Sequence, residues 1–360
     1  MGDDIIPRAS IDGRAHFRIN ASYDGPQPEI PISNSSPIVS SNSSGTLEVA
    51  SGYGHSESDS LQGEERGYTI DDILADGCFL DQSMLERMLK RLETKQNIIL
   101  QGPPGAGKTW LSKRLAYALI GLRDDSQIRQ MQFHPNLSYE DFVRGYRPQS
   151  DGKLDLADGP FLQLCDTARR DQAGKYVMVI EEINRGNPAS IFGELLTLLE
   201  ADKRDEHNAL RLAYTKDDEQ PFHIPPNVYV IGTMNLADRS LALVDIALRR
   251  RFAFFDLEPA FNETWLDWVR EPFSETPGFA STIKQRIDAL NSEIARDSNL
   301  GDQFRVGHSH FTPASDAIIS DPIEWYKDVV ETEIAPLLRE YWFDNRGRAD
   351  EEIEKLTAGL

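Results

Sequence analysis

The residues with the most explicit chemical content are Gly102, Pro103, Pro104, Gly105, Ala106, Gly107, Lys108 and Thr109. They satisfy the spacing G-x-x-x-x-G-K-[ST], directly after an apolar run at 97–100 and at the start of a helical pattern at 109–119. Glycines at these positions let backbone N–H groups turn inward around phosphate oxygens, and the start of the following helix adds a favourable dipole. Lys108 supplies a point charge for the β and γ phosphates, and the Thr109 hydroxyl is a ligand for Mg²⁺. Trp110, next in the chain, is placed with this loop as a nucleotide contact.

Three further groups stand where a phosphate loop needs them. The apolar run Tyr-Val-Met-Val-Ile at 176–180 ends in Glu181 and Glu182. A carboxylate at such a strand end can hold hydrated Mg²⁺, the expected role of Glu181, while its neighbour Glu182 orients or deprotonates an attacking water. Thr233-Met-Asn235 follows the apolar run at 228–231, so the Asn235 amide is expected between the loop and the acids, near the γ-phosphate. Arg249 and Arg250 close a helical segment ahead of another strand, where a guanidinium suits transition-state phosphoryl charge on a neighbouring subunit. Arg251 is expected to be structural. The plainer alternative for all three arginines is compensation of a helix C-terminus.

These residues imply the elements that position them. Strands are expected at 97–100, 176–180, 228–231 and 252–255, alternating with helices at 109–119, 190–199 and 242–250. An amphipathic helix begins at Asp81, with Met84, Leu85, Met88, Leu89 and Leu92 on one face. Short apolar strands alternating with helices mean an α/β fold with a parallel sheet covered on both sides. Past Pro259 the pattern becomes helical, with candidates at 263–269, 283–296 and 325–341. The expected organisation is therefore a tail over 1–66, a nucleotide-binding core over 67–258 and a small helical lid over 259–360. The tail is rich in Ser, Asn, Gly and Pro without periodicity, a composition that cannot offset the entropy of ordering.

The chain of 360 residues carries 59 acidic and 38 basic side chains, a formal net charge of −21. That surface disfavours non-specific binding to nucleic-acid backbones. Cys78 and Cys165 share no metal-ligand spacing and are expected as buried free thiols. No signal peptide and no membrane-spanning run is legible, which fits a reducing cytoplasm.

Beyond the phosphate loop, the segments Gln132-Phe-His, Ser138-Tyr-Glu-Asp-Phe-Val143, Glu181-Glu-Ile-Asn-Arg185, Gly232-Thr-Met-Asn-Leu-Ala-Asp-Arg-Ser240, Ala247-Leu-Arg-Arg-Arg-Phe252 and Val306-Gly-His-Ser-His-Phe311 resemble the McrB family. These are the AAA+ motor subunits of modification-dependent restriction systems, and the resemblance runs from about Tyr68 to Tyr341. It implies an AAA+ P-loop fold with a helical lid, GTP or else ATP as substrate with Mg²⁺, and a homo-oligomeric ring, a hexamer. It also implies a McrC-type nuclease subunit as partner, with DNA reached through that complex. Met234-Asn-Leu-Ala-Asp238 matches a family signature linked to guanine selection, which assigns Asp238 to the nucleotide. His308, in the lid, is expected to contact the nucleotide. Glu181 departs from the commoner Asp, and the tail shows no recognisable DNA-binding domain. Two rivals share the core: a MoxR-like chaperone ATPase, and a scaffold that binds nucleotide without turnover.

Overall fold

The computed structural model describes residues 67–238, 246–314, 317 and 319–360; the expected tail over 1–66 lies outside them. The strands are β1 (Asn97–Gly102), β2 (Ile128–Gln132), β3 (Arg144–Pro148), β4 (Leu154–Asp158), β5 (Tyr176–Glu181), β6 (Val228–Asn235) and β7 (Ala253–Asp256). Five of them form one parallel sheet in the order β2-β5-β6-β1-β7, while β3 and β4 pair as a separate antiparallel hairpin.

The central strands are buried on both faces. Ile98, Leu100, Val177, Val179 and Ile231 point to one side, where they pack against α1 (Ile70–Ala75), α2 (Gln82–Lys95) and α3 (Lys108–Ile120). Ile99, Met178, Ile180, Val228 and Val230 point to the other, with α4 (Tyr139–Phe142), α5 (Pro160–Arg170), α6 (Pro188–Phe192) and α7 (Leu195–Leu198). That alternation of side chains over a doubly covered sheet is why the central strands read as continuous apolar runs. Cys78 sits in the first layer and Cys165 in the second, both buried free thiols. At the amino edge of the sheet the buried Arg204 guanidinium donates to Leu199 O at 3.0 Å, Asn97 Oδ1 at 2.7 Å and Val228 O.

The sheet continues into α8 (Ile246–Arg251) before β7; residues 242–245 of the helix expected there lie outside the described residues. The helical segment comprises α9 (Glu263–Trp268), α10 (Phe279–Arg296), α11 (Pro322–Val329), a π-turn over Val330–Ile334, α12 (Ala335–Tyr341) and α13 (Arg346–Thr357). Trp265, Ile287, Tyr326 and Leu338 fill its separate core, to which Phe79 is added from far upstream.

Several elements differ from expectation. Strands β5 and β6 run on to include Glu181 and Asn235 themselves. The helix expected over 190–199 is two short helices broken at Gly193, whose φ of 52° is left-handed. The helix expected over 325–341 is continuous only through the π-turn. Strand β2, the β3–β4 hairpin, α5 and α13 were not foreseen. Strand β2 is an edge strand with Arg129, Gln130 and Gln132 exposed and no residue fully buried, so Ile-Arg-Gln-Met-Gln carries no apolar run to find.

Candidate nucleotide site

The carboxyl ends of β1, β6 and β5 lie side by side, and register pairs Gly102 with Asn235 and Ile180 with Gly232. The loop after β1 and the acids after β5 therefore flank the end of β6, the crevice where open parallel sheets bind ligands. At Gly102 the segment after β7 lies so close that an added Cβ would be 2.2 Å from Leu257 O. Gly107 caps α3 in the left-handed region at φ 78°, leaving the first N–H groups of a thirteen-residue helix facing the loop. The Lys108 ammonium donates to Gly102 O at 3.0 Å and Pro103 O at 2.7 Å. Burial pushes its pKa down to about 8, partly opposed by Glu182. Thr109 is exposed, and the Arg114 guanidinium stacks on Trp110 at 3.7 Å from the ring centre.

Gln130 of β2 donates to the Glu181 carboxylate. Glu182 adopts φ 50°, unusual for a residue with a side chain, and its N–H donates to Thr233 Oγ1 at 3.3 Å. Its Oε2 is buried without a hydrogen-bond partner. Asn235 Oδ1 accepts from Ala237 N–H at 3.1 Å, and Asn184 donates to Asn235 O at 3.2 Å.

Asp238 lies 3.7 Å from the Arg185 guanidinium, which also approaches Glu182 at 3.6 Å. It borders a groove with Pro104, Asn235 and the lid residues Phe304 and Tyr341. The turn after Asn235 carries Asp238, expected at the nucleotide, to the side of Arg185 and Glu182.

A second cleft, of about 380 Å³, opens on the other side of the loop. Its walls include Phe79, Leu80, Ala106, Trp110, Trp268, His308 and Pro313. The lid reaches it through a strap, where Gly307 N–H donates to Pro104 O at 3.1 Å and Ser309 N–H to Gly105 O at 3.0 Å. His308 Nδ1 accepts from Ala260 N–H at 3.0 Å, which puts the proton of the neutral ring on Nε2. Burial, with His310 nearby, pushes its pKa down to about 4. His310 turns instead to Glu333, with Nδ1 at 2.6 Å, so the two histidines do not converge on one metal. Reasoning from the sequence missed the cleft walls at 76–80, Trp268 and Pro313, which carry no motif.

Arg249 and Arg250 are exposed at the end of α8, and Arg249 lies over the Phe254 ring at 5.7 Å. Arg251 pairs with Glu200 at 3.2 Å, and its carbonyl accepts from Asn97 at 3.1 Å. Asn97 begins the strand that Gly102 ends. The arginines thus stand at the opposite edge of the sheet from their own loop, roughly 17 Å of strand away.

Two family models match the chain: an AAA domain of the dynein-related subfamily over residues 97–252, and the McrB alpha-helical lid domain over residues 282–350. The type IV methyl-directed restriction enzyme EcoKMcrB subunit of Escherichia coli is 43% identical, over 80% of this chain and 63% of its own length. The type II restriction enzyme BsuMI component YdiS of Bacillus subtilis is 26% identical, over 45% of this chain and 57% of its own. The chain thus spans about three fifths of the length of these relatives. An AAA domain whose phosphate loop is held by a lid of the McrB type is the arrangement found here, and over 80% of its length the chain is similar to an McrB subunit.

Proposed function

We propose that this site hydrolyses a nucleoside triphosphate with Mg²⁺, GTP in preference to ATP, in a ring of identical subunits. One observation carries the reading: the phosphate loop, the Glu181–Glu182 pair and Asn235 share the carboxyl edge of three adjacent strands. Residues Gly102 to Lys108 would hold the phosphates. The Thr109 hydroxyl and Glu181 offer the hard oxygen donors that suit Mg²⁺, a cation that keeps several waters and the substrate's own oxygens. When bound, the ion neutralises charge developing on the β and γ phosphates.

Glu182 Oε2, buried without a hydrogen bond, is placed to accept a proton from the attacking water. Because Asn235 Oδ1 is already engaged by Ala237, its amide N–H groups remain as donors toward the γ-phosphate. The apolar cleft beside Trp110 takes the base, and His308 offers an Nε2–H there. Arg249 and Arg250 cannot reach their own loop, so in a ring they complete the neighbour's site.

The partner is a McrC-type nuclease subunit, a reading supported by relatives named as a subunit and a component of restriction enzymes. DNA is reached through that complex, in keeping with the net charge of −21, and the setting is the cytoplasm. No helix among the described residues is long and apolar enough to cross a membrane. The core and the lid divide at 258/259. The test is phosphate release from GTP and from ATP, with and without the nuclease subunit. GTP turnover that exceeds ATP turnover and rises with the partner supports the reading; no turnover in any combination sinks it.

A further inference from the structure

Asp238 is a motif residue left without a task once the base is assigned to the cleft, and Arg185 is a cation with no assigned role beside the catalytic acid. The two belong together. The chain leaves β5 in a turn closed by Arg185 N–H donating to Glu182 O at 2.8 Å, which brings the Arg185 guanidinium back over the Glu182 side chain. It leaves β6 in another turn, in which Leu236 N–H donates to Gly102 O at 3.3 Å and Ala237 N–H to Asn235 Oδ1. That second turn delivers Asp238 to the far side of the same guanidinium. Arg185 therefore bridges the turn carrying Glu182 and the turn carrying Asn235, with Nε 3.6 Å from Glu182 Oε2 and Nη2 3.7 Å from Asp238 Oδ2.

Both contacts are longer than a hydrogen bond, so the cation steadies the Glu182 carboxylate without occupying its lone pair. Arg185 is 42% exposed, Glu182 22% and Asp238 24%. With the Arg185 side chain this exposed and neither contact at hydrogen-bond distance, the pair contributes little to folding. The left-handed backbone at Glu182 aims the acid at one place, and strain of this kind collects where geometry serves a mechanism.

We infer that Arg185 is a positioning residue for Glu182, and that Asp238 restrains Arg185 from closing onto the acid. Glu182 Oε2 then stays available to the attacking water. The inference rests on the reading of Glu182 as the hydrolytic base.

The test uses the full chain with its nuclease partner and measures kcat, nucleotide affinity and the ratio of GTP to ATP turnover. Arg185→Ala should lower kcat about ten- to a hundredfold, the scale expected when a catalytic group is misplaced by about 1 Å. Nucleotide affinity and melting temperature should hold, and Arg185→Lys should recover part of the loss. Asp238→Ala should also lower kcat, by letting the guanidinium close on Glu182, and it should leave the GTP to ATP ratio as in the wild type. In the double variant, kcat should be no lower than in Arg185→Ala alone, because the effect of Asp238 on Glu182 runs through Arg185.

Fully additive losses, an altered nucleotide ratio in Asp238→Ala, or weakened binding with unchanged kcat in Arg185→Ala would each overturn the inference while wild-type turnover keeps the parent reading. Should Arg185→Ala fail to fold, Arg185→Gln takes its place in the cycle, and failure of both to fold shows a structural role and overturns the inference. Absence of wild-type turnover would overturn inference and reading together.

Discussion

Replacing Gly307 by alanine tests whether the lid strap shapes the phosphate loop. The backbone at Gly307, φ −78° and ψ 160°, is ordinary for alanine, so conformation alone imposes no penalty. The obstacle is space. A Cβ there would lie 2.0 Å from Gly105 C, 2.1 Å from Gly105 O and 2.5 Å from Pro104 O. These are backbone atoms of the loop and cannot swing aside as a side chain would. Restoring van der Waals separation takes a retreat of roughly 1.5 Å by the strap. That displacement breaks the bonds from Gly307 and Ser309 to Pro104 and Gly105, worth about 1 kcal/mol each. It also draws His308 back from the cleft. Nucleotide affinity should fall about ten- to a hundredfold, or ~1.4–2.8 kcal/mol. The melting temperature should drop by only several degrees, at roughly 2–4 °C for each kcal/mol in a chain of this size. Gly121→Ala is the control: φ is 88°, nothing lies within 4 Å of the added Cβ, and strain of about 1 kcal/mol should cost stability without touching binding. A fluorescent-nucleotide titration beside a thermal melt reads both. Wild-type affinity in Gly307→Ala, or an equal loss in Gly121→Ala, would refute the reasoning.

On the proposed reading Lys108 meets phosphate as the ammonium, and burial lowers its pKa to about 8. Affinity should therefore be level below pH 8 and weaken as pH rises through it, with proton uptake on binding at pH 9 visible by calorimetry in buffers of different ionisation enthalpy; a flat profile from pH 7 to 9.5 counts against it. Lys108→Ala should abolish binding at every pH, and a titration with an unchanged Kd would remove the lysine from the site. Glu182→Gln should bind nucleotide and assemble normally while turnover falls about a hundredfold or more; near-normal hydrolysis would move the role to Glu181. Mixing Arg250→Ala with Glu182→Gln subunits should restore hydrolysis that neither shows alone, since one interface then pairs an intact acid with an intact arginine. A mixture that exchanges subunits yet stays inactive would leave the arginines as helix caps.

What could be read from residues alone follows from how local the physical demand is. The phosphate loop needs glycines at fixed spacing and a lysine beside them, so Gly102 to Thr109 announce themselves. An acid pair after a buried run and an asparagine after the next are nearly as explicit, and β6 does lie between β1 and β5. The arginines at 249–251 were legible as a cluster, and Arg251 does make the structural contact, to Glu200. The cleft was not legible. Its walls come from the turn before α2, the start of α3 and the lid, and a wall needs only bulk and apolarity, which fit many sequences. The meaning of Asp238 was likewise hidden, because its partner Arg185 belongs to another strand end and neither residue carries a spacing that demands the other.

The strap shows the same limit from the other side. Gly307-His-Ser-His310 is a conspicuous run, and histidines two apart invite a metal reading. In the structure the decisive atom is one that is missing, the Cβ of Gly307, without which a P-loop carbonyl can lie directly against the lid. The loop is thus closed in from two directions: Leu257 O presses on Gly102 from the segment leading out of the core, and Gly307 and Ser309 donate to Pro104 and Gly105 from the lid. A rigid movement of the lid that carried Gly307 and Ser309 would act directly on the Pro104 and Gly105 carbonyls. If the loop holds nucleotide as proposed, its occupancy and the lid's position would be coupled through these backbone contacts, and in the proposed ring a neighbour that pushed on the lid would act on the affinity of the site beneath it.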